Sequence, residues 1–188
     1  MSCISVQTRI SIRVLAFLLI SPATAADFAE TARKAQAAYA AAQREWQIGL
    51  AELAVEQVPE FEAIAKAQRD LQVAYLERGT SKFEYLLAED PSRIVLTEGL
   101  SPFINYDWSD EDTQTLREAD PGYAALDVKV AALRKRNDDQ RDWVGFREYF
   151  HNTLLKSKEY QALLSEFMEK QKAVEAFLDV YKPEAIAK

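Results

Sequence analysis

The sequence has 188 residues, with 23 basic side chains against 30 acidic ones, a net charge of −7 and one cysteine, Cys3. That length suits one ordinary domain with a real hydrophobic core. The acidic balance argues against nucleic acid, whose phosphates demand a basic face, and a lone cysteine excludes an internal disulfide framework.

The first segment carries Arg9 and Arg13 and no acid, then an apolar run from Val14 to Ile20, then Ser21-Pro22 and Ala23-Thr24-Ala25. Basic flank, short apolar centre and small residues before a cut are the order of a secretory signal peptide. The apolar run is far shorter than the ~20 residues that span a bilayer. The expectation is cleavage after Ala25 and a periplasmic or secreted chain, 26–188, with no stable membrane anchor. Cys3 leaves with residues 1–25. Losing Arg9 and Arg13 leaves 21 basic residues against 30 acidic, a net charge of −9. Such a surface favours solubility and, where it meets a protein, a cationic partner.

Beyond the cut, few glycines and abundant Ala, Leu, Glu, Gln and Lys predict an all-α protein. Phe28, Ala32, Ala35, Tyr39, Ala42, Trp46, Leu50 and Leu53 step by threes and fours along one helical face. Pro59 suits the first turn of a second helix, and Phe61, Ile64, Leu71, Tyr75, Phe83 and Leu86 carry its face, with Gly79 a soft point. Asp90-Pro91 ends it. Residues 27–89 therefore read as one helical hairpin.

Residues 90–120 read as a long connection holding Pro91, Gly99, Pro102 and the acidic run Ser109-Asp110-Glu111-Asp112. Ser109 is placed to cap a short helix, with Asp112 as its partner three residues on. Aromatic side chains in an acidic rim make Phe103, Tyr106, Trp108, Asp110 and Asp112 the candidate residues for binding a basic protein partner. The competing reading is a loop folded over the bundle end, its aromatics inside the core.

Asp120-Pro121 then opens a further helix, as cap and first residue. Its face runs through Tyr123, Leu126, Val130 and Leu133. After the polar belt 134–142 it resumes at Trp143, Phe146, Phe150 and Leu154. A turn at Lys156–Glu159 and a last helix from Tyr160 to Tyr181 complete a second hairpin, 121–182. Two hairpins predict an antiparallel four-helix bundle. The phrase Gln-Arg-acid-Trp occurs in both, at Gln43–Trp46 and Gln140–Trp143, which suggests an internal repeat.

Residues 140–148, Gln-Arg-Asp-Trp-Val-Gly-Phe-Arg-Glu, resemble a helical segment of the LprI-type family of small exported bacterial proteins. Gln140, Arg141, Trp143, Phe146, Arg147 and Glu148 carry the likeness. It implies a non-enzymatic binding protein that inhibits a lysozyme or another cationic cell-wall hydrolase. Members of that family usually carry a disulfide-bonded cysteine just after the acid; here Tyr149-Phe150-His151 stands in its place. The alternative role is structural, an envelope protein acting by self-association of the bundle.

No catalytic residue, cofactor or metal ligand is assigned. Glu148 and His151 have the spacing of a carboxylate-bridged di-iron helix, but such a site needs two of these motifs and the chain has one histidine. Asp107, Asp110, Glu111 and Asp112 lack the glycine of a calcium loop and suit the start of a helix better. Nucleophilic catalysis finds neither a cysteine beyond the signal nor a G-x-S-x-G turn.

Overall fold

A computed structural model describes residues 22–94 and 108–178, with side chains described within 27–94 and 108–176. The described residues are all-α. They form α1 (Pro22–Gln57), α2 (Glu62–Glu89), α3 (Asp110–Ala119), α4 (Pro121–Asp138), α5 (Trp143–Asn152) and α6 (Lys158–Leu178). Residues 1–21 of the expected signal segment, and Tyr181, lie outside them. Among the described residues no helix is long and apolar enough to cross a membrane.

Local chemistry sets most of the boundaries. α1 ends just before Val58-Pro59, and Pro59–Phe61 make one 3-10 turn before α2. α2 runs without a break through Gly79, although that glycine marked a soft point in the sequence. Asp90 ends it, its carboxylate accepting from the Ser92 amide at 3.2 Å. The capping box expected for α3 is complete. The Asp112 amide donates to Ser109 Oγ at 3.1 Å, and the Ser109 amide donates to Asp112 Oδ2 at 2.8 Å. Asp120 caps α4 by accepting from the Gly122 amide at 2.8 Å, with Pro121 as first residue.

The helix expected to run on from α4 is cut in two. α4 stops at Asp138, and α5 starts at Trp143 with Asp142 as its cap. Asn137-Asp138-Asp139 is a run of poor helix formers whose side chains compete for backbone hydrogen bonds. The Trp143 indole closes the corner by donating to the Asn137 carbonyl at 2.9 Å, which also accepts from the Gln140 amide at 3.3 Å. Gln140, three residues before Trp143, donates its side-chain amide to the Arg136 carbonyl at 2.9 Å.

Pairing of the long helices also differs from two separate hairpins. α1 and α2 do form one. Arg33 meets Glu84 at 2.9 Å and Arg44 meets Glu77 at 3.3 Å, early α1 against late α2. α4 and α6, however, do not lean chiefly on each other. α4 lies antiparallel along α2, held by Arg78–Asp127 at 3.1 Å, Lys129–Glu77 at 2.9 Å and Arg136–Asp70 at 2.6 Å. α6 lies antiparallel along α1, where Trp46 packs on Phe167 and Tyr160 at centroid distances of 5.1 and 5.7 Å. Gly49 permits the approach there: a Cβ on it would stand 2.8 Å from Leu163 Cδ1.

The two Gln-Arg-acid-Trp phrases thus occupy different settings. The first sits inside α1 and sends Trp46 to α6. The second spans the corner between α4 and α5. Three apolar clusters fill the interior: Phe83, Leu86, Tyr39 and Val174 at one end of the α1–α2 pair, Leu154 with Ala51, Ala54 and Ala65 at the other, and Leu71, Ala74 and Val130 between α2 and α4.

Candidate functional site

The corner at Asp139–Asp142 turns α5 across the closed end of the α1–α2 hairpin. Aromatic contacts seat it there. Phe146 and Tyr149 each lie 5.5 Å from Phe61, and Phe146 also lies 5.8 Å from Trp143. The Tyr149 hydroxyl donates to Gln57 Oε1 at 3.0 Å. Because Ala51, Ala54 and Ala65 face α5, the aromatic side chains do not fill the space. A cavity of about 290 Å³ remains between α1, α2 and α5.

Its floor and walls are apolar: Leu50, Ala51, Ala54 and Ala65 from the hairpin, Phe146, Phe150 and Leu154 from the other side. Its rim is polar, with Gln47, Gln68 and Gln72 on the hairpin and Arg69, Arg147 and His151 around them. Among the described residues Arg147 has no carboxylate partner; its guanidinium lies 5.8 Å from the Trp143 ring centroid. Arg69 is held beside Asp70 at 2.6 Å, and Asp70 also takes Arg136. His151 packs edge-on to Phe150 at 5.8 Å. An apolar hollow with a few convergent polar groups is the usual form of a ligand site. A second groove between α1 and α2, about 310 Å³, shares Gln47 and Gln72 but is lined more by polar side chains, Gln36, Gln43, Arg78 and Lys82 among them.

The segment singled out by its resemblance is therefore at the cavity. Trp143, Phe146 and Arg147 line it, while Gln140, Arg141 and Glu148 do not. Arg141, Arg147 and Glu148 are exposed.

The residues chosen for partner binding stand elsewhere. Phe103 and Tyr106 lie outside the described residues. Trp108 is half-buried, its indole donating to Thr113 Oγ1 at 2.8 Å, its ring 5.8 Å from Tyr85 and 4.6 Å from Lys82 Nζ. Burial at that position lowers the Lys82 ammonium pKa. Asp112 is engaged twice, by the Ser109 cap and by Arg93 at 2.9 and 2.6 Å through its two oxygens. Asp110 alone of the three described residues is exposed without such a bond. Among the described residues no three His, Cys, Asp or Glu side chains converge as a metal ion would require.

Arg93 and the Ser109 hydrogen bonds hold the Asp112 carboxyl far below the usual carboxylate range. A depressed folded-state pKa means stability that is present at neutral pH and lost as pH falls below about 4. Asp112→Ala should therefore cost about 1–2 kcal/mol at pH 7, the scale of a helix cap plus a charge-assisted pair. The penalty should shrink as acid is added. Urea unfolding at pH 7 and pH 3 checks this; equal penalties at both would reject the carboxylate's role.

Of the cavity's hairpin residues, Gln47, Ala51, Ala54, Ala65, Gln68, Arg69 and Gln72 were not singled out in the sequence. Their one signal is the small side chains at Ala51 and Ala54, three apart on the face that Trp46 and Leu50 fill with bulk.

Comparison with protein-family models, with curated proteins and with solved structures gives no match.

Proposed function

We propose that this chain is an exported, non-enzymatic binding protein, its long helices forming an antiparallel four-helix bundle, with a ligand seated between α1, α2 and α5. The observation that carries this reading is the contrast inside that cavity: an apolar floor left open by three alanines, ringed by amides and cations. Arg147, lacking an acid among the described residues, is a donor available to a ligand. Self-association through apolar stripes has less support. The exposed large apolar side chains, Val128, Val144 and Met168, lie on three different helices among the described residues.

The test is to fill the cavity. Ala51→Leu should keep the helical circular-dichroism spectrum and abolish stabilisation by small amphipathic compounds that raise the melting temperature of the wild-type chain. A ligand at one hundred times its Kd stabilises by about 2.7 kcal/mol, well within reach of a thermal scan. Equal shifts for both proteins would place binding outside the cavity.

A second reading, inhibition of a cationic cell-wall hydrolase, is favoured by the exposure of Arg141, Arg147 and Glu148 on the segment that resembles the LprI-type family. It predicts salt-sensitive slowing of cell-wall lysis by a cationic lysozyme when the chain is added. Unchanged lysis with the chain in large excess would remove it.

A further inference from the structure

The net charge of the whole chain is −7, and 30 of its 188 residues are acidic. No Asp or Glu lines the α1–α2–α5 cavity, whereas Arg69, Arg147 and His151 do. An acidic protein has thus kept acids off the lining of one hollow and brought two guanidinium groups, Arg69 and Arg147, to it. The charge count there stays positive. Asp70 is shared between Arg69 and Arg136, so that trio carries one net positive charge, and Arg147 adds another that forms no ion pair among the described residues, Asp138 bordering the adjoining hollow on its far side. Three amides, Gln47, Gln68 and Gln72, have no hydrogen-bond partner among the described residues, which leaves neutral donors beside the guanidinium groups.

Below the rim the chemistry reverses. Leu50, Leu154, Phe146 and Phe150 offer only carbon, and a volume of about 290 Å³ holds about ten heavy atoms at the ~30 Å³ of a water-sized group. A ligand that satisfies both parts has one anionic end and a short apolar body. Arginine favours a carboxylate in that position, because its planar fork meets two oxygens at once. The Arg147 guanidinium lies 5.8 Å from the Trp143 ring centroid, at the edge of cation–π range, on the same side of the cavity.

We propose that this cavity binds a monocarboxylate of about eight carbons in all, its carboxylate on Arg147 with Arg69 and the glutamine amides beside it, and its tail against the alanine floor. The assignment rests on the cavity being the ligand site, and the experiment separates the two. Octanoate, 1-octanol and octyltrimethylammonium are titrated into the full chain at low salt, followed by calorimetry and by Trp143-dependent fluorescence. The same titrations are run on Arg147→Gln and on Ala51→Leu. Arg147 is exposed, so its replacement leaves the fold in place, which circular dichroism checks. The expected result is octanoate bound more tightly than octanol, octyltrimethylammonium weakest, and a loss of about tenfold or more in octanoate affinity in Arg147→Gln with octanol unchanged. Octanoate and octanol bound equally, both insensitive to Arg147→Gln and both lost in Ala51→Leu, would overturn the carboxylate assignment while keeping the cavity as a ligand site. No binding of any of the three to the wild-type chain would overturn the carboxylate assignment outright. Binding unchanged by Ala51→Leu would overturn both readings.

Discussion

Phe83→Ala should lower the stability of the fold by about 3–5 kcal/mol, the range for removing a buried phenylalanine. Phe83 is fully buried and lies where α1, α2 and α6 converge, among Ala32, Ala35, Tyr39, Leu86 and Val174. Two of its neighbours on α1, Ala32 and Ala35, have side chains too short to move into the vacated space. The loss therefore combines the transfer free energy of the ring with a cavity that stays open. For a chain of this size the melting temperature should fall by roughly 6–20 °C. Val128→Ala is the control. Val128 is 71% exposed, so its removal should stay within about 0.5 kcal/mol. A Phe83→Ala penalty near that of the control, measured by chemical unfolding, would mean that this end of the helix pair is not a packed core.

The sequence announces those features of the fold that are local. The Ser109–Asp112 box and the Asp120-Pro121 start depend on backbone groups within three residues, and both are present as expected. The face of α1 is legible for the same reason: Ala32, Ala35, Tyr39 and Ala42 recur at helical spacing and all are buried. The corner at Asp139–Asp142 was not legible, because Trp143 and Phe146 resume an apolar pattern after the polar belt. What marks the break is the run Asn137-Asp138-Asp139, closed by the Trp143 indole on the Asn137 carbonyl, and apolar periodicity contains neither. Asp112 and Trp108 illustrate the same limit. Acid beside aromatic looks like a binding rim until Arg93, Thr113 and Lys82 are brought up to them by the fold. The cavity is the hardest feature of all to read. It is made by small residues from two helices standing opposite aromatics nearly a hundred residues later, and nothing in either segment alone marks the space between them.

Leu154→Ala is the substitution in which fold and site meet. Leu154 is fully buried in the 3-10 turn after α5, clustered with Ala51, Leu53, Ala54 and Ala65, and it forms part of the cavity floor. Truncation to Ala should cost about 2–5 kcal/mol. The upper part of that range is expected, since the surrounding alanines cannot close the gap, and the vacated volume joins an existing hollow. The effect on binding should run the other way. A deeper apolar floor removes no rim group, so a carboxylate longer than octanoate should gain affinity relative to octanoate itself, by about threefold or more per added methylene buried. Calorimetry with octanoate and decanoate on wild-type and Leu154→Ala chains, at a temperature where both remain folded, measures that ratio. A ratio unchanged by the substitution would show that the ligand's tail does not reach Leu154, and would place the tail along α5 instead. A ratio that rises while Arg147→Gln still weakens both ligands would fix the ligand's direction in the cavity, carboxylate at the rim and tail toward the turn that joins α5 to α6.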